Sequence, residues 1–380
     1  MRFQSIRPSL FCRQDYMEFE CALCSFRQRC SETSPFLYAA TPILRQIVSA
    51  HLQEIGAAFE RKNDLFRLGP DGGSAIEKLR RRLSEAERAD IRVGSEPGAA
   101  LMAAPTLEAY GQSQDTQWFE EALRNDSFTS FFQPIVDTRH SSVFAHECLI
   151  RLFADRPYNG AEIVEAAISR GSVHLFDSYA RRLSIRQAGA QFTPGSKIFI
   201  NFMPSSIYDP AFCMASTLDE MSRTTLQPTD VVFEVVESDK VRDVRHLQKI
   251  CEYYRKEGFG FALDDVGTGS SSLQMVCDLK PDYIKLDKSF ISNVAEPMYC
   301  RAVEKLTEFA FQSGLDVIAE GIEAASTMET LQAMGIHLMQ GYYFGKPAAS
   351  MNPMTASLAN MGAHLQSETP AAKSLCPSTS

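Results

Sequence analysis

The densest chemistry in this sequence lies in two neighbouring carboxylates, Asp264 and Asp265. They follow an apolar run, residues 259–263, that reads as a buried strand, and the turn Gly267-Thr268-Gly269 comes soon after them. Adjacent carboxylates repel and are costly to bury, so a fold that holds them together supplies cations, unless one is simply a helix cap or turn former. Their company decides between these readings. Polar groups also end other apolar runs: Glu147 and Arg151, Asn201, Glu234 and Glu237, Lys285 and Asp287, Glu320 and Glu323, and Gln340. The set is rich in carboxylate and amide oxygens and contains no histidine, which suits Mg2+ or Mn2+ rather than zinc. Asp264 and Asp265 are placed to serve two ions, one carboxylate acting as a bridge. Such a pair of ions stabilises the attacking and leaving oxygens of phosphodiester hydrolysis. Lys285 suits polarising the attacking water or neutralising charge on the phosphorane.

These residues need a scaffold that brings many strand ends to one face. Short β-rich runs occur at residues 130–136, 142–150, 197–202, 231–236, 259–263, 283–286, 317–319 and 336–341. Amphipathic stretches long enough for helices separate most of them, most clearly at residues 161–191, 239–257, 295–313 and 324–334. Eight strands with intervening helices predict an α/β fold, a (β/α)8 TIM-like barrel with its catalytic groups at the C-terminal strand ends. Residues 137–141 are too few for a parallel crossover, so the first strand is expected to run antiparallel to the second. Upstream, helical spacing covers residues 42–61 and about 75–91, a linker covers 93–112, and a short helix covers 117–124. The expected organisation is a small, mostly helical, Cys-containing regulatory or interaction region over 1–110, the barrel over 111–350, and a disordered tail over 351–380.

The chain has 380 residues, 44% of them hydrophobic, and a formal net charge of −9, which argues against general nucleic-acid binding. No apolar run reaches the roughly 18 residues of a membrane span. The N-terminus lacks the apolar core of a signal peptide, so the cytoplasm is the expected location. Of ten cysteines, six are scattered and read as small buried hydrophobes or free thiols. The other four, Cys12, Cys21, Cys24 and Cys30, crowd near the N-terminus around a Cys-x2-Cys core. That core is compatible with Zn2+, an iron–sulfur cluster or a redox pair, and equally with reduced cysteines that bind nothing.

Glu147-Cys148-Leu149-Ile150-Arg151 resembles the Glu-x-Leu-x-Arg signature of EAL-domain cyclic di-GMP phosphodiesterases. Phe132-Gln133-Pro134-Ile135-Val136, Ile200-Asn201-Phe202, Phe233-Glu234-Val235-Val236-Glu237 and Asp264-Asp265-Val266-Gly267-Thr268-Gly269 are similar to further family motifs. So are Ile284-Lys285-Leu286-Asp287, Ala319-Glu320-Gly321-Ile322-Glu323 and Gln340-Gly341-Tyr342. The resemblance runs from about residue 125 to 350 and implies two-metal hydrolysis of cyclic di-GMP to linear pGpG. It implies that Glu147, Asn201, Glu234 and Asp264 hold one divalent ion, and that Asp264, Asp265 and Glu320 organise the second. It further implies that Lys285 contacts the nucleophilic water and that Glu320 is a general base. Gln133, Arg151, Asn201, Asp287 and Gln340 would face the substrate, while Glu237 and Glu323 steady loops. A homodimer follows from the resemblance alone. Val266 and Ser270 depart from the family's usual aromatic residues, in the loop that links metal binding to dimerisation in relatives. No Gly-Gly-Asp/Glu-Glu-Phe signature occurs, which leaves the N-terminal region as the expected input or protein-partner module. The alternative is an inactive domain that binds cyclic di-GMP as a receptor or serves as an interaction module.

Overall fold

Period-two alternation along eight strands builds the part of the molecule that carries the polar ring. The structure, a computed structural model, describes residues 35–95, 101, 103–154, 156–235, 244–267 and 273–351. Contacts divide the chain into two units, Met1–Gln117 and Trp118–Ser380.

In the first unit the order is β1 (Phe36–Ala39), α1 (Pro42–Glu54), β2 (Phe59–Lys62), β3 (Leu65–Leu68), α2 (Gly72–Arg80), α3 (Glu85–Ala89), β4 (Ile91–Gly94) and α4 (Leu107–Asp115). The sheet order is β2-β3-β1-β4 with every pair antiparallel, the split β-α-β arrangement of ferredoxin-like folds. Leu37, Phe66, Leu68, Ile91 and Val93 bury one sheet face in a core shared with Val48 and Leu52 of α1 and Ile76 and Leu79 of α2. The helices fall where helical spacing places them, whereas the sheet departs from the mostly helical region expected here. Thr41 caps α1 by accepting from the Leu44 amide at 3.2 Å, as its position before Pro42 suggests. The helix then stops at Glu54, and the chain turns through Gly56 at φ +68° into a hairpin. The stretch expected as one helix over 75–91 is two helices and a strand, because Ser84 and Glu87 form a capping box that starts α3 afresh.

The boundary falls at the first residue of α5 (Gln117–Arg124), and the second unit continues β5 (Phe128–Asp137), β6 (Ser142–Phe153), β7 (Pro157–Tyr158), α6 (Gly160–Ser169), α7 (Val173–Gly189) and β8 (Lys197–Phe202). A 3-10 turn at Pro204–Ser206 leads to α8 (Pro210–Met221), β9 (Val231–Val235), α9 (Val244–Lys256), β10 (Gly260–Val266), α10 (Leu273–Leu279) and β11 (Tyr283–Leu286). The last elements are α11 (Lys288–Ile291), α12 (Pro297–Gln312), β12 (Asp316–Ala319), α13 (Ala325–Ala333) and β13 (Leu338–Gln340). Eight strands close into a barrel in the order β5-β13-β12-β11-β10-β9-β8-β6, with β5 also paired to β6. As expected, β5 runs antiparallel to β6; it is antiparallel to β13 as well, and the remaining pairs of the barrel wall are parallel. The helical stretch 161–191 is two helices broken at Gly171, φ +62°. Among the scattered cysteines, Cys148, Cys213 and Cys251 are buried free thiols, Cys277 is an exposed one, and Cys300 is in a disulfide.

Each barrel strand gives one residue to an inner layer: Ile135, Ala145, Phe199, Val232, Ala262, Tyr283, Ile318 and Leu338. Two positions further toward the open face, the same alternation places Gln133, Glu147, Asn201, Glu234, Asp264, Lys285, Glu320 and Gln340. The lower layer is apolar and seals the barrel. The upper one is wholly ionic or amide.

Candidate functional site

Lys285 stands at the centre of the upper layer. Its side chain is 1% exposed, and Nζ lies 2.7 Å from Glu320 Oε1, 3.1 Å from Glu234 Oε1, 3.3 Å from Asp264 Oδ1 and 3.4 Å from Glu147 Oε2. Glu147 is fixed from two further sides: Asn201 Nδ2 donates to its Oε1 at 3.1 Å, and Gln340 Nε2 to its Oε2 at 2.7 Å. Seven of the eight upper-layer residues are therefore joined in one network. Gln133 faces the same end and donates to the Gly345 carbonyl at 3.3 Å.

Four carboxylates around one ammonium carry excess negative charge in a nearly dry space. Burial works against a charged Lys285, but Asp264, Glu147, Glu234 and Glu320 outweigh it and hold the ammonium well above the usual lysine range. Burial also pushes Glu147 up, yet Lys285, Gln340 and Asn201 bring it below the ordinary carboxylate value. The remaining carboxyls go the other way. Burial, against the pull of Lys285 and with the other carboxylates adding to it, raises Asp264, lifts Glu234 well above its usual range and takes Glu320 to about 8. Protons thus compensate a site that holds more oxygens than its single lysine can neutralise.

The neighbouring aspartates reach the site through a local irregularity. Consecutive strand residues normally face opposite sides. Here the β10–β11 register shifts between Leu263 and Val266, so that Asp264 and Asp265 together stand opposite Lys285, a β-bulge. Asp265 adopts φ +52°, in the left-handed region, and its amide donates to Asp264 Oδ1 at 3.1 Å. Both carboxylates consequently turn to one side. One oxygen each from Asp264, Asp265 and Glu320 lie within 4.8 Å of one another, close enough to converge on a cation.

The donor set fits divalent cations. Both carboxylate oxygens of the fully buried Glu234 lack a hydrogen-bond partner, as does Gln340 Oε1, although Lys285 is ion-paired to Glu234. Buried acceptors left in this state are expensive, and hard cations satisfy them.

The other expected site residues lie around this ring. Arg151 is half-buried further up β6, with Nη1 donating to the Ile150 carbonyl at 2.8 Å. Asp287 caps α11, accepting from the Ser289 amide at 2.9 Å; burial pushes its carboxyl up, but hydrogen bonds with Ser289, Lys288 and Asp265 outweigh it and hold it below the ordinary value. Glu323 is exposed in the loop after β12. Glu237, Thr268, Gly269, Ser270 and the cysteines Cys12, Cys21, Cys24 and Cys30 lie outside the described residues. Gly341 has a part that its sequence context does not reveal: a Cβ there would lie 2.2 Å from the Ile322 backbone, so only glycine lets the chain after Gln340 meet the loop after β12. The Ile322 amide donates to the Gln340 carbonyl at 3.1 Å and secures that approach.

Residues 116–347 match the EAL domain. Over 260 residues the chain is 30% identical to the probable cyclic di-GMP phosphodiesterase PdeG of Escherichia coli strain K12, covering 65% of this chain and 50% of that protein. It is 27% identical over 233 residues to the cyclic di-GMP phosphodiesterase PdeF of the same organism, covering 60% of this chain and 31% of the relative. The chain thus spans a third to a half of the length of these curated relatives. Among solved structures, a standalone EAL protein from Vibrio cholerae O395 in its c-di-GMP-bound form is 31% identical with a TM-score of 0.57, covering 61% of this chain and 97% of that one.

Proposed function

Since the chain belongs to the EAL domain family, we propose that it is a metal-dependent phosphodiesterase that hydrolyses cyclic di-GMP to linear pGpG. The observation that carries this reading is the bulged Asp264-Asp265 pair converging with Glu320 beside a lysine that four carboxylates surround. The names of PdeG and PdeF, and the ligand of the Vibrio cholerae protein, supply the substrate. Glu147, Asn201, Glu234 and Asp264 would hold one Mg2+ or Mn2+, and Asp264, Asp265 and Glu320 a second. When bound, these ions supply positive charge to the scissile phosphodiester and make water more acidic. Glu320 takes the proton from water, and Lys285, 2.7 Å from its carboxylate, steadies the resulting charge distribution. The water oxygen joins one phosphorus as the P–O3′ bond breaks, the departing O3′ takes a proton from solvent, and Glu320 returns its proton to solvent, so that one water is consumed for each bond cut. Gln133, Arg151, Asp287 and Gln340 orient the nucleotide, and Glu237 and Glu323 steady the loops that carry the site.

The test is to incubate the purified chain with cyclic di-GMP and Mg2+ or Mn2+ and to follow pGpG. Turnover that chelation abolishes and Glu147→Ala lowers roughly a hundredfold or more supports the enzyme. Tight binding without turnover overturns it and leaves a cyclic di-GMP receptor. The proposal extends to a cytoplasmic homodimer, checked by sedimentation, in which residues 1–110 form the input or partner-binding region. Its cysteines Cys12, Cys21, Cys24 and Cys30 would serve there as a Zn2+, iron–sulfur or redox site, with reduced cysteines that bind nothing as the alternative, and metal and free-thiol analysis of the purified chain decides between them.

A further inference from the structure

Asn201 belongs to the ring, but the ladder on one side of β8 ends before reaching it. The pairing of β8 with β6 stops at Cys148–Ile200, whereas the pairing with β9 runs on to Phe202–Val235. From Asn201 onward the β6 side of the chain has no further ladder pair.

A buried charged pair on α7 takes over. Asp177 Oδ1 accepts from the Met203 amide at 2.9 Å, two residues past Asn201. Its Oδ2 accepts from Arg181 Nε at 3.0 Å, one helical turn along. Arg181 Nη1 then donates to Thr217 Oγ1 of α8 at 2.8 Å. The side chains of Asp177 and Arg181 are 2% and 1% exposed. A pair so buried is a poor way to gain stability, because apolar residues of similar volume do as well or better without desolvating two charges. What apolar residues cannot do is accept a hydrogen bond from a strand-end amide. The turn that follows is secured as well: His174 Nδ1 lies 2.5 Å from the Ser206 carbonyl, and His246 Nε2 contacts the Ile207 carbonyl.

We propose that Asp177, kept in place by Arg181 and Thr217, is a positioning residue that fixes the backbone after β8 and so aims Asn201 at Glu147. The inference rests on the proposed metal-dependent site for its functional meaning, but its geometric content stands apart from it. Asp177 makes its hydrogen bonds to Met203 and Arg181 rather than to the ring residues. It acts through Met203 and Asn201, and the charge on Arg181 serves to keep the acceptor oriented.

Two paired variants separate positioning from bulk stability. Asp177→Asn/Arg181→Met removes both charges and keeps an acceptor for Met203. Asp177→Ala/Arg181→Met removes both charges and the acceptor. Crystal structures of the two full-length variants should show the 3.1 Å Asn201–Glu147 hydrogen bond kept in the first and lost in the second. Mn2+ titration should give an affinity within about threefold of the parent chain for the first and roughly 10- to 100-fold weaker for the second, the range for groups that orient metal ligands. Should the alanine pair not fold, Thr217→Val, which removes a single neutral acceptor, carries the test through amide exchange at Met203. Faster exchange there is expected together with a longer Asn201–Glu147 contact. An Asn201–Glu147 contact unchanged in the alanine pair, or in Thr217→Val despite faster exchange, overturns the inference whatever the metal result. A parent chain that binds no Mn2+ instead defeats the metal reading, and the Asn201 geometry of the variants still decides the positioning role.

Discussion

Asp265 holds a conformation that its own side chain disfavours, and the gain from that conformation lies in the site rather than in the fold. A non-glycine residue at φ +52° carries a left-handed cost of about 1 kcal/mol, and its carboxylate adds to an already crowded set of negative groups. Asp265→Gly removes both burdens at the expense of a more flexible unfolded chain. Stability measured by urea unfolding without added metal is therefore expected to hold or to rise by up to about 1 kcal/mol. Mn2+ affinity should fall roughly tenfold or more. A loss of stability with affinity intact would mean that the bulge serves the strand and not the ring. The types and spacing of the ring residues were readable in the sequence, because each closes an apolar run and the oxygens share one chemistry. The bulge was not: nothing in Leu-Asp-Asp-Val states which of two neighbours leaves the regular pleat. The Asp177–Arg181 pair was equally hidden, since acid and base four apart on a helix usually read as a solvated surface pair.

The β5–β6 hairpin is the element that lets an otherwise parallel sheet close, and Asp137 secures its turn. The carboxylate accepts from the Arg139 amide at 2.9 Å and pairs with His140 Nδ1 at 2.8 Å. Burial pushes this carboxyl up, but His140 and Arg139 outweigh it, so its folded value lies below the ordinary 3.8. A depressed folded value means that the contribution is complete above the unfolded value and is lost as pH falls through the folded one. Asp137→Asn should therefore lower unfolding stability at neutral pH by roughly 1 kcal/mol, with the gap between variant and parent closing as pH falls through the depressed folded value. Urea midpoints compared at pH 7 and in a descending acid series check it, and a gap that widens in acid contradicts the assignment. The antiparallel first strand was legible because loop length alone forbids a parallel crossover over residues 137–141. In contrast, β1 to β4 in the first unit are four residues each, too short for alternation to stand out beside the helical spacing of α1 and α2.

Each unit of the chain buries its own hydrophobic core: Leu37, Phe66 and Val93 belong to the first, and the sealed barrel to the second. The barrel was visible from sequence because its pattern repeats around the whole ring. The small unit lacks such repetition, and its ferredoxin-like order emerges only from strand pairing. Separate cores imply two calorimetric transitions, and the metal reading assigns them different responses. Metal at about 100 times its dissociation constant stabilises the state that binds it by about 2.7 kcal/mol. For a unit of the barrel's size that shifts its midpoint by about 5–10 °C. Mn2+ should thus move one transition upward and leave the other in place. Phe66→Ala, which empties part of the first core at a cost of about 3–5 kcal/mol, should lower only the transition that Mn2+ ignores. A single transition that both changes displace would show that the two cores melt together. The ring's charge would then act on the stability of the whole chain, and saturating Mn2+ should offset much of the loss caused by Phe66→Ala.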